Sequence, residues 1–174
     1  MNWVWKIAIG GVLVVLVAAM GGAWFMGGYT MTSAAMEPAT PERSLVLVSR
    51  IALSTRDPGR MDVVVFQLPD QEGQAVRRIV GLPGDEIEIR EDDVYIAGKK
   101  LEEPYRPSTP DGPPQTRPPR APPASMSPTT VPAGAYFLLG DNRRGPGDSR
   151  TFGFVPRDRI YGVVWTVFKK PVAL

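Results

Sequence analysis

Arg77-Arg78-Ile79-Val80-Gly81-Leu82-Pro83-Gly84-Asp85-Glu86-Ile87-Glu88-Ile89-Arg90 reads as strand, turn and strand in one continuous stretch. Val76 to Val80 forms an extended run rich in β-branched residues. Gly81 and Gly84 then flank Leu82-Pro83, where proline fixes one turn dihedral and glycine permits another. Asp85 closes the turn. Glu86 to Arg90 alternates strictly between polar and apolar, as a strand with one buried face does. The same pattern extends both ways. Upstream lie Leu45-Val46-Leu47-Val48 and Asp62-Val63-Val64-Val65-Phe66. Downstream, a turn at Glu91-Asp92 leads into Val94-Tyr95-Ile96, broken again by Ala97-Gly98-Lys99. Ala135 to Leu139 and Ile160 to Phe168 complete the set. No stretch after Met36 has the spacing of a long amphipathic helix. Residues 30–174 are therefore expected to form a mainly β domain, either a folded sheet system or a barrel.

The N-terminal stretch is different. Ile7 to Met36 contains no charged residue, and Ile7 to Met26 is almost wholly apolar. A helix of about 20 residues, at ~1.5 Å rise, spans a ~30 Å hydrocarbon core. Trp3 and Trp5 at one end, and Trp24 and Tyr29 at the other, suit the two membrane interfaces. A cleaved targeting peptide, with Gly21-Gly22-Ala23 as its small-residue site, is the competing reading, but the run exceeds the ~7–15 residues of such a core. Residues 1–29 are expected to be a retained, single-pass membrane anchor. Lys6 and the N-terminal amine would keep the N-terminus in the cytoplasm and the main domain outside it.

A second compositional break lies at 104–132, where 11 of 29 residues are proline. Proline at this density cannot feed a hydrogen-bond ladder and favours extended, polyproline-like chain. The expectation is an exposed, disordered insertion between strands. A docking site for a proline-binding protein is the alternative.

Composition excludes several chemistries. The chain has no Cys and no His. Disulfides, thiolate nucleophiles and Cys-based zinc or iron–sulfur sites are ruled out. So is a Ser-His-Asp hydrolase, and the commonest general base near neutral pH is missing. Only five lysines are present: Lys6, Lys99, Lys100, Lys169 and Lys170. The net charge of +2 gives no reason to expect nucleic-acid binding. No metal or cofactor is expected.

Met36-Glu37-Pro38 follows the anchor. Then come Asp62-Val63-Val64-Val65-Phe66, Arg77-Arg78-Ile79-Val80-Gly81-Leu82-Pro83-Gly84-Asp85, Gly140-Asp141-Asn142-Arg143 and Asp148-Ser149-Arg150-Thr151-Phe152-Gly153-Phe154-Val155-Pro156. In this order, from the anchor to about Phe168, the set resembles the type I signal peptidase family. The resemblance implies a β-structured extracytoplasmic domain whose apolar surface associates with membrane lipid. It also implies cleavage of signal peptides from exported preproteins, with a serine nucleophile and a neutral lysine base. Burial must lower such a lysine from ~10.4 toward neutrality. A second serine orients the lysine, and an oxyanion hole combines a backbone amide with a further hydroxyl.

The chain departs from that pattern at the positions that move protons. The family motif Ser-x-Ser-Met-x-Pro reads here Ser33-Ala34-Ala35-Met36-Glu37-Pro38. Ala35 stands at the nucleophile position, while Ser33 matches the oxyanion-hole hydroxyl. The base position, one before Arg78, is Arg77. The base-orienting serine is replaced by Pro146. Alanine has no nucleophilic atom, and arginine keeps its proton, with a pKa above ~12. Asp141 is expected to cap backbone amides. Asp148 and Arg150 are close enough in sequence to pair, with Asp141 and Arg143 as further partners. The structural reading of these charges is favoured over a catalytic one. Three readings follow. The first is a catalytically silent homologue that keeps a membrane-apposed groove and binds signal peptides or a partner peptidase. The second is an active enzyme with Ser33 as relocated nucleophile and Asp62 or Asp141 as base through a water. The third is a membrane-anchored interaction module acting through the proline-rich insertion.

Overall fold

The computed structural model describes residues 26–69, 72–106, 125–145 and 147–169. The strands are β1 (Met26–Thr30), β2 (Leu45–Ser49), β3 (Val63–Gln67), β4 (Gln74–Gly81), β5 (Glu86–Arg90), β6 (Asp93–Ile96), β7 (Lys99–Lys100), β8 (Met126–Thr130), β9 (Ala135–Leu139), β10 (Val155–Pro156) and β11 (Ile160–Phe168). Among the described residues the helices are single turns. They are α1 (Ala52–Thr55), α2 (Ser149–Phe152) and 3-10 turns at Ala34–Met36 and Arg157–Arg159. The mainly β expectation therefore holds, and β5, β9 and β11 begin and end where the sequence pattern does.

The strands form two antiparallel sheets, one ordered β1-β2-β11-β3-β4-β9-β10 and the other β7-β6-β5-β8. The larger sheet ends on β1 and β10, so among the described residues it is open and not a closed barrel. Its period-2 alternation sorts side chains into separate cores. On β3, Val64 and Phe66 join Ile79, Tyr136, Leu138, Val155 and Ile160. Val65, between them, points the other way into a cluster with Met31, Met36, Val46, Val48 and Val76. On β9 every residue is buried. Tyr136 and Leu138 enter the first cluster, while Phe137 and Leu139 pack with Ile87, Ile89 and Val94 of the smaller sheet. A strand covered on both faces needs a continuous apolar run, and Ala135-Tyr136-Phe137-Leu138-Leu139 supplies one. Each fully buried side chain of this kind contributes roughly 1.5–3 kcal/mol. Gly81 is required by packing, since a Cβ there would lie 2.8 Å from the Phe137 Cβ.

The anchor expected over residues 1–29 lies outside the described residues through residue 25. Its last part is corrected: Met26–Tyr29 belong to β1, paired with β2 in register Met26↔Ser49 to Tyr29↔Val46. The Tyr29 hydroxyl donates to Gln74 O (2.7 Å). Among the described residues no helix is long and apolar enough to cross a membrane. Residues 107–124 of the proline-rich stretch also lie outside the described set. Its two ends belong to the fold: Tyr105 and Arg106 are held by hydrogen bonds, and Val131, just after β8, is buried.

One face is apolar and exposed. Leu45 is paired with Phe168, and both are exposed, as is Met26. Trp165, at a register shift in β11, is 70% exposed. The extra residue of a bulge aims its side chain out of the regular pleat.

Candidate active site

Ser33 precedes the 3-10 turn Ala34–Met36 in extended conformation, half-buried, and its side chain makes no capping bond. Ala35 and Met36 are fully buried. Met36 plugs the cluster of Met31, Val46, Val65 and Val76, which fixes this turn to the underside of β2, β3 and β4. The Glu37–Pro38 peptide is cis, and Thr40 N donates back to Met36 O (2.7 Å).

The turn beginning at Gly140 closes over position 35. Asn142 N donates to Ala35 O (3.0 Å), and Asn142 Nδ2 donates to Ala34 O (3.1 Å). Glycine allows the backbones to approach. A Cβ on Gly140 would meet Ala35 O at 2.6 Å, and one on Gly145 would meet the Ala35 Cα at 2.8 Å. Position 35 therefore carries a methyl group sealed beneath Gly140–Gly145.

Arg77 lies on β4 opposite Val64 and is 4% exposed. Its Nε and Nη2 both donate to Gly147 O (3.1 and 2.7 Å), and Nη1 donates to Val76 O (2.7 Å). Burial lowers the guanidinium from its usual range, against the pull of Asp148. Its contacts with carbonyl oxygens suit a protonated donor. Pro146 lies outside the described residues; its neighbour Gly147 is fastened to Arg77.

Below this lies a frame of ion pairs. Arg78 grips Asp141 with two parallel bonds, Nε to Oδ1 (2.8 Å) and Nη2 to Oδ2 (2.6 Å), and donates through Nη1 to Met61 O (2.9 Å). Bidentate geometry of this kind is among the stronger polar contacts in proteins. Asp141 is 1% exposed. Burial pushes its carboxyl above the ordinary range, and Arg78 pulls the other way. Arg150 makes a second bidentate pair, with Asp148 (2.8 and 2.9 Å). Asp148 also caps α2 through Arg150 N (3.1 Å) and accepts from Gly140 N (3.3 Å). Ser149 Oγ accepts from Leu138 N (2.9 Å).

Several expected partners are corrected. Asp141 pairs with Arg78, and the amide-capping carboxylate is Asp148. β4–β9 pairing sets Arg78 beside Leu139, two residues before Asp141, which sequence distance hides. Arg143 pairs with Glu103 and donates to Gly140 O (3.1 Å). Arg150's further carboxylate is Asp92 (3.2 Å). Glu103 and Asp92 went unnoticed in the sequence, Glu103 because it adjoins the proline-rich stretch and Asp92 because it sits in a turn.

Other motif residues brace turns. Asp85 accepts from Leu82 N (2.5 Å) and pairs with Arg60 (2.9 Å). Gly84, at φ +85, takes the left-handed position beside Pro83. Asp62 accepts from Gly59 N and pairs with Arg56 (2.6 Å). Among the described lysines, Lys99 and Lys100 lie on β7, Lys100 paired with Asp93, and Lys169 follows β11.

The family model for signal peptidase, peptidase S26, matches residues 2–169. A probable signal peptidase I-2 of Synechocystis sp. is 35% identical over 143 residues, covering 78% of this chain and 60% of that relative's length. A signal peptidase IB of Staphylococcus aureus is 32% identical over 172 residues, covering 94% of this chain and 86% of the relative. A crystal structure of a signal peptidase I from Enterococcus faecalis V583 aligns at 33% identity and TM-score 0.49, covering 62% of this chain and 97% of that one. This chain belongs to the signal peptidase S26 family.

Proposed function

We propose that this chain is a membrane-anchored family member that binds signal peptides of exported preproteins and does not hydrolyse them. One observation carries the reading. Position 35 holds a fully buried methyl group where the family's chemistry requires a hydroxyl that can attack a carbonyl. The base position agrees, because Arg77 is engaged with Gly147 O and Val76 O and arginine does not give up its proton near neutral pH. A serine nucleophile needs an acceptor for its proton within hydrogen-bond reach, and neither position offers one.

The ion-pair frame beneath the turn over Ala35 supports binding. The Asp141–Arg78 and Asp148–Arg150 pairs hold the turn in place. The apolar run that begins at Ile7 and the exposed Met26, Leu45, Trp165 and Phe168 favour a single-pass anchor with the β domain resting on lipid outside the cytoplasm. A second reading, attack by Ser33, is favoured by its half-buried hydroxyl without a capping bond. It lacks a base: both Asp141 oxygens accept from Arg78, and Asp62 is tied to Arg56 and Gly59.

The test compares the full chain, purified in detergent, with an Ala35→Ser/Arg77→Lys/Pro146→Ser revertant. Binding of a fluorescent signal peptide by the unaltered chain, with preprotein cleavage gained only by the revertant, is the expected result. A chain that binds no signal peptide contradicts the proposal.

A further inference from the structure

The residues just before position 107 reach back to the turn that closes over Ala35. The Tyr105 ring lies against the face of the Arg78 guanidinium, 4.0 Å from Cζ to the ring centroid. Arg78 uses its in-plane N–H groups on Asp141 and on Met61 O, so a flat face is what it offers a further partner, and an aromatic ring fits it. The Tyr105 hydroxyl donates to Glu103 Oε1 (2.5 Å), which fixes the ring's direction. Burial, helped by Glu103, pushes the phenol well above its usual range, so it remains a neutral donor. The same Glu103 oxygen accepts from Arg143 Nη2, and Arg143 Nε donates to Gly140 O (3.1 Å).

Two routes thus run from residues 103–105 to one turn. The first passes from Tyr105 to Arg78, to Asp141 and, one residue on, to Asn142, whose N and Nδ2 hold Ala35 O and Ala34 O. The second passes from Glu103 to Arg143 and Gly140. Tyr105 is not a member of the three apolar clusters; its ring faces the Arg78 guanidinium and its hydroxyl is held by Glu103.

We propose that Tyr105 is a positioning residue that, through Arg78 and Asp141, holds the Gly140–Arg143 turn against the backbone of positions 34 and 35. The entry to the proline-rich stretch is then part of the site's scaffold. Its effect on peptide binding rests on the proposed function, whereas the positioning itself does not.

Hydrogen exchange of the full chain in detergent tests it. Tyr105→Leu should speed exchange at the Asn142 amide by about ten-fold, with β3, β4 and β9 core amides unchanged. Tyr105→Phe keeps the ring face and should stay within about two-fold of the unaltered chain. Glu103→Gln, which removes the charge facing Arg143, gives a second variant if Tyr105→Leu folds poorly, and should speed the same amide. Unchanged exchange at Asn142 in a folded Tyr105→Leu would overturn the proposal whatever Glu103→Gln does, as would an equal rise across the core strands; where Tyr105→Leu does not fold, unchanged exchange in Glu103→Gln would overturn it. An unaltered chain that binds no signal peptide would sink the proposed function while exchange still decides this one.

Discussion

The ion-pair frame and the floor it supports obey different energetics. In the frame, Arg78, Arg143 and Arg150 each have a carboxylate: Asp141, Glu103 and Asp148. Removing one partner of such a buried pair strands the other charge, at a cost of roughly 3–5 kcal/mol. Folding itself therefore holds those residues in place. At position 35 folding makes no such demand. A methyl group packs under Gly145 without any polar partner, and at position 77 a guanidinium finds carbonyl oxygens at Gly147 and Val76. Proton-transfer chemistry can be absent there while the scaffold stays whole.

That contrast can be broken first at its strong side. Asp141→Ala leaves Arg78 buried without its carboxylate, and denaturant unfolding should show a loss of about 3–5 kcal/mol. A loss below about 1 kcal/mol would mean that the frame is not structural. The next test separates two glycines of one loop. Gly145→Ala forces a Cβ to 2.8 Å from the Ala35 Cα and should cost about 1–3 kcal/mol. Gly147→Ala has open space and should be near neutral in the same assay.

A pH series sharpens the comparison further. Asp141 has a folded pKa above its unfolded value because burial outweighs Arg78. Such a group lowers stability as pH rises through the interval between the two values. Urea unfolding should show the unaltered chain losing stability relative to Asp141→Asn as pH rises from about 4, the unfolded carboxyl range. A relative gain would show that Arg78's attraction dominates. The smallest effect belongs to the surface: Lys100→Ala breaks an exposed pair with Asp93 and should leave stability close to that of the unaltered chain in the same assay.

Most of the fold was legible because its signal is local. Glu86–Arg90 alternates, Ala135–Leu139 is a pure apolar run, and both are strands over those residues. β1 was hidden because Met26-Gly27-Gly28-Tyr29 continues the apolar run before it. β8 was hidden by Pro128, which is tolerated because β8 is an edge strand. At the site, motif spacing singled out positions 33, 35, 77 and 146, the last of which lies outside the described residues. It did not reveal the partners, because Arg78–Asp141 and Arg143–Glu103 are brought together by tertiary contacts across 63 and 40 residues. The seal over Ala35 depends on backbone approach at Gly140 and Gly145, which no side-chain pattern announces.

The most direct test is the rate of preprotein cleavage by the purified, unaltered full chain beside its Ser33→Ala variant. With a buried methyl at position 35 and a protonated Arg77, the expected rate is that of the buffer control for both proteins. Turnover by the unaltered chain that disappears in Ser33→Ala would contradict catalytic silence and make Ser33 the nucleophile.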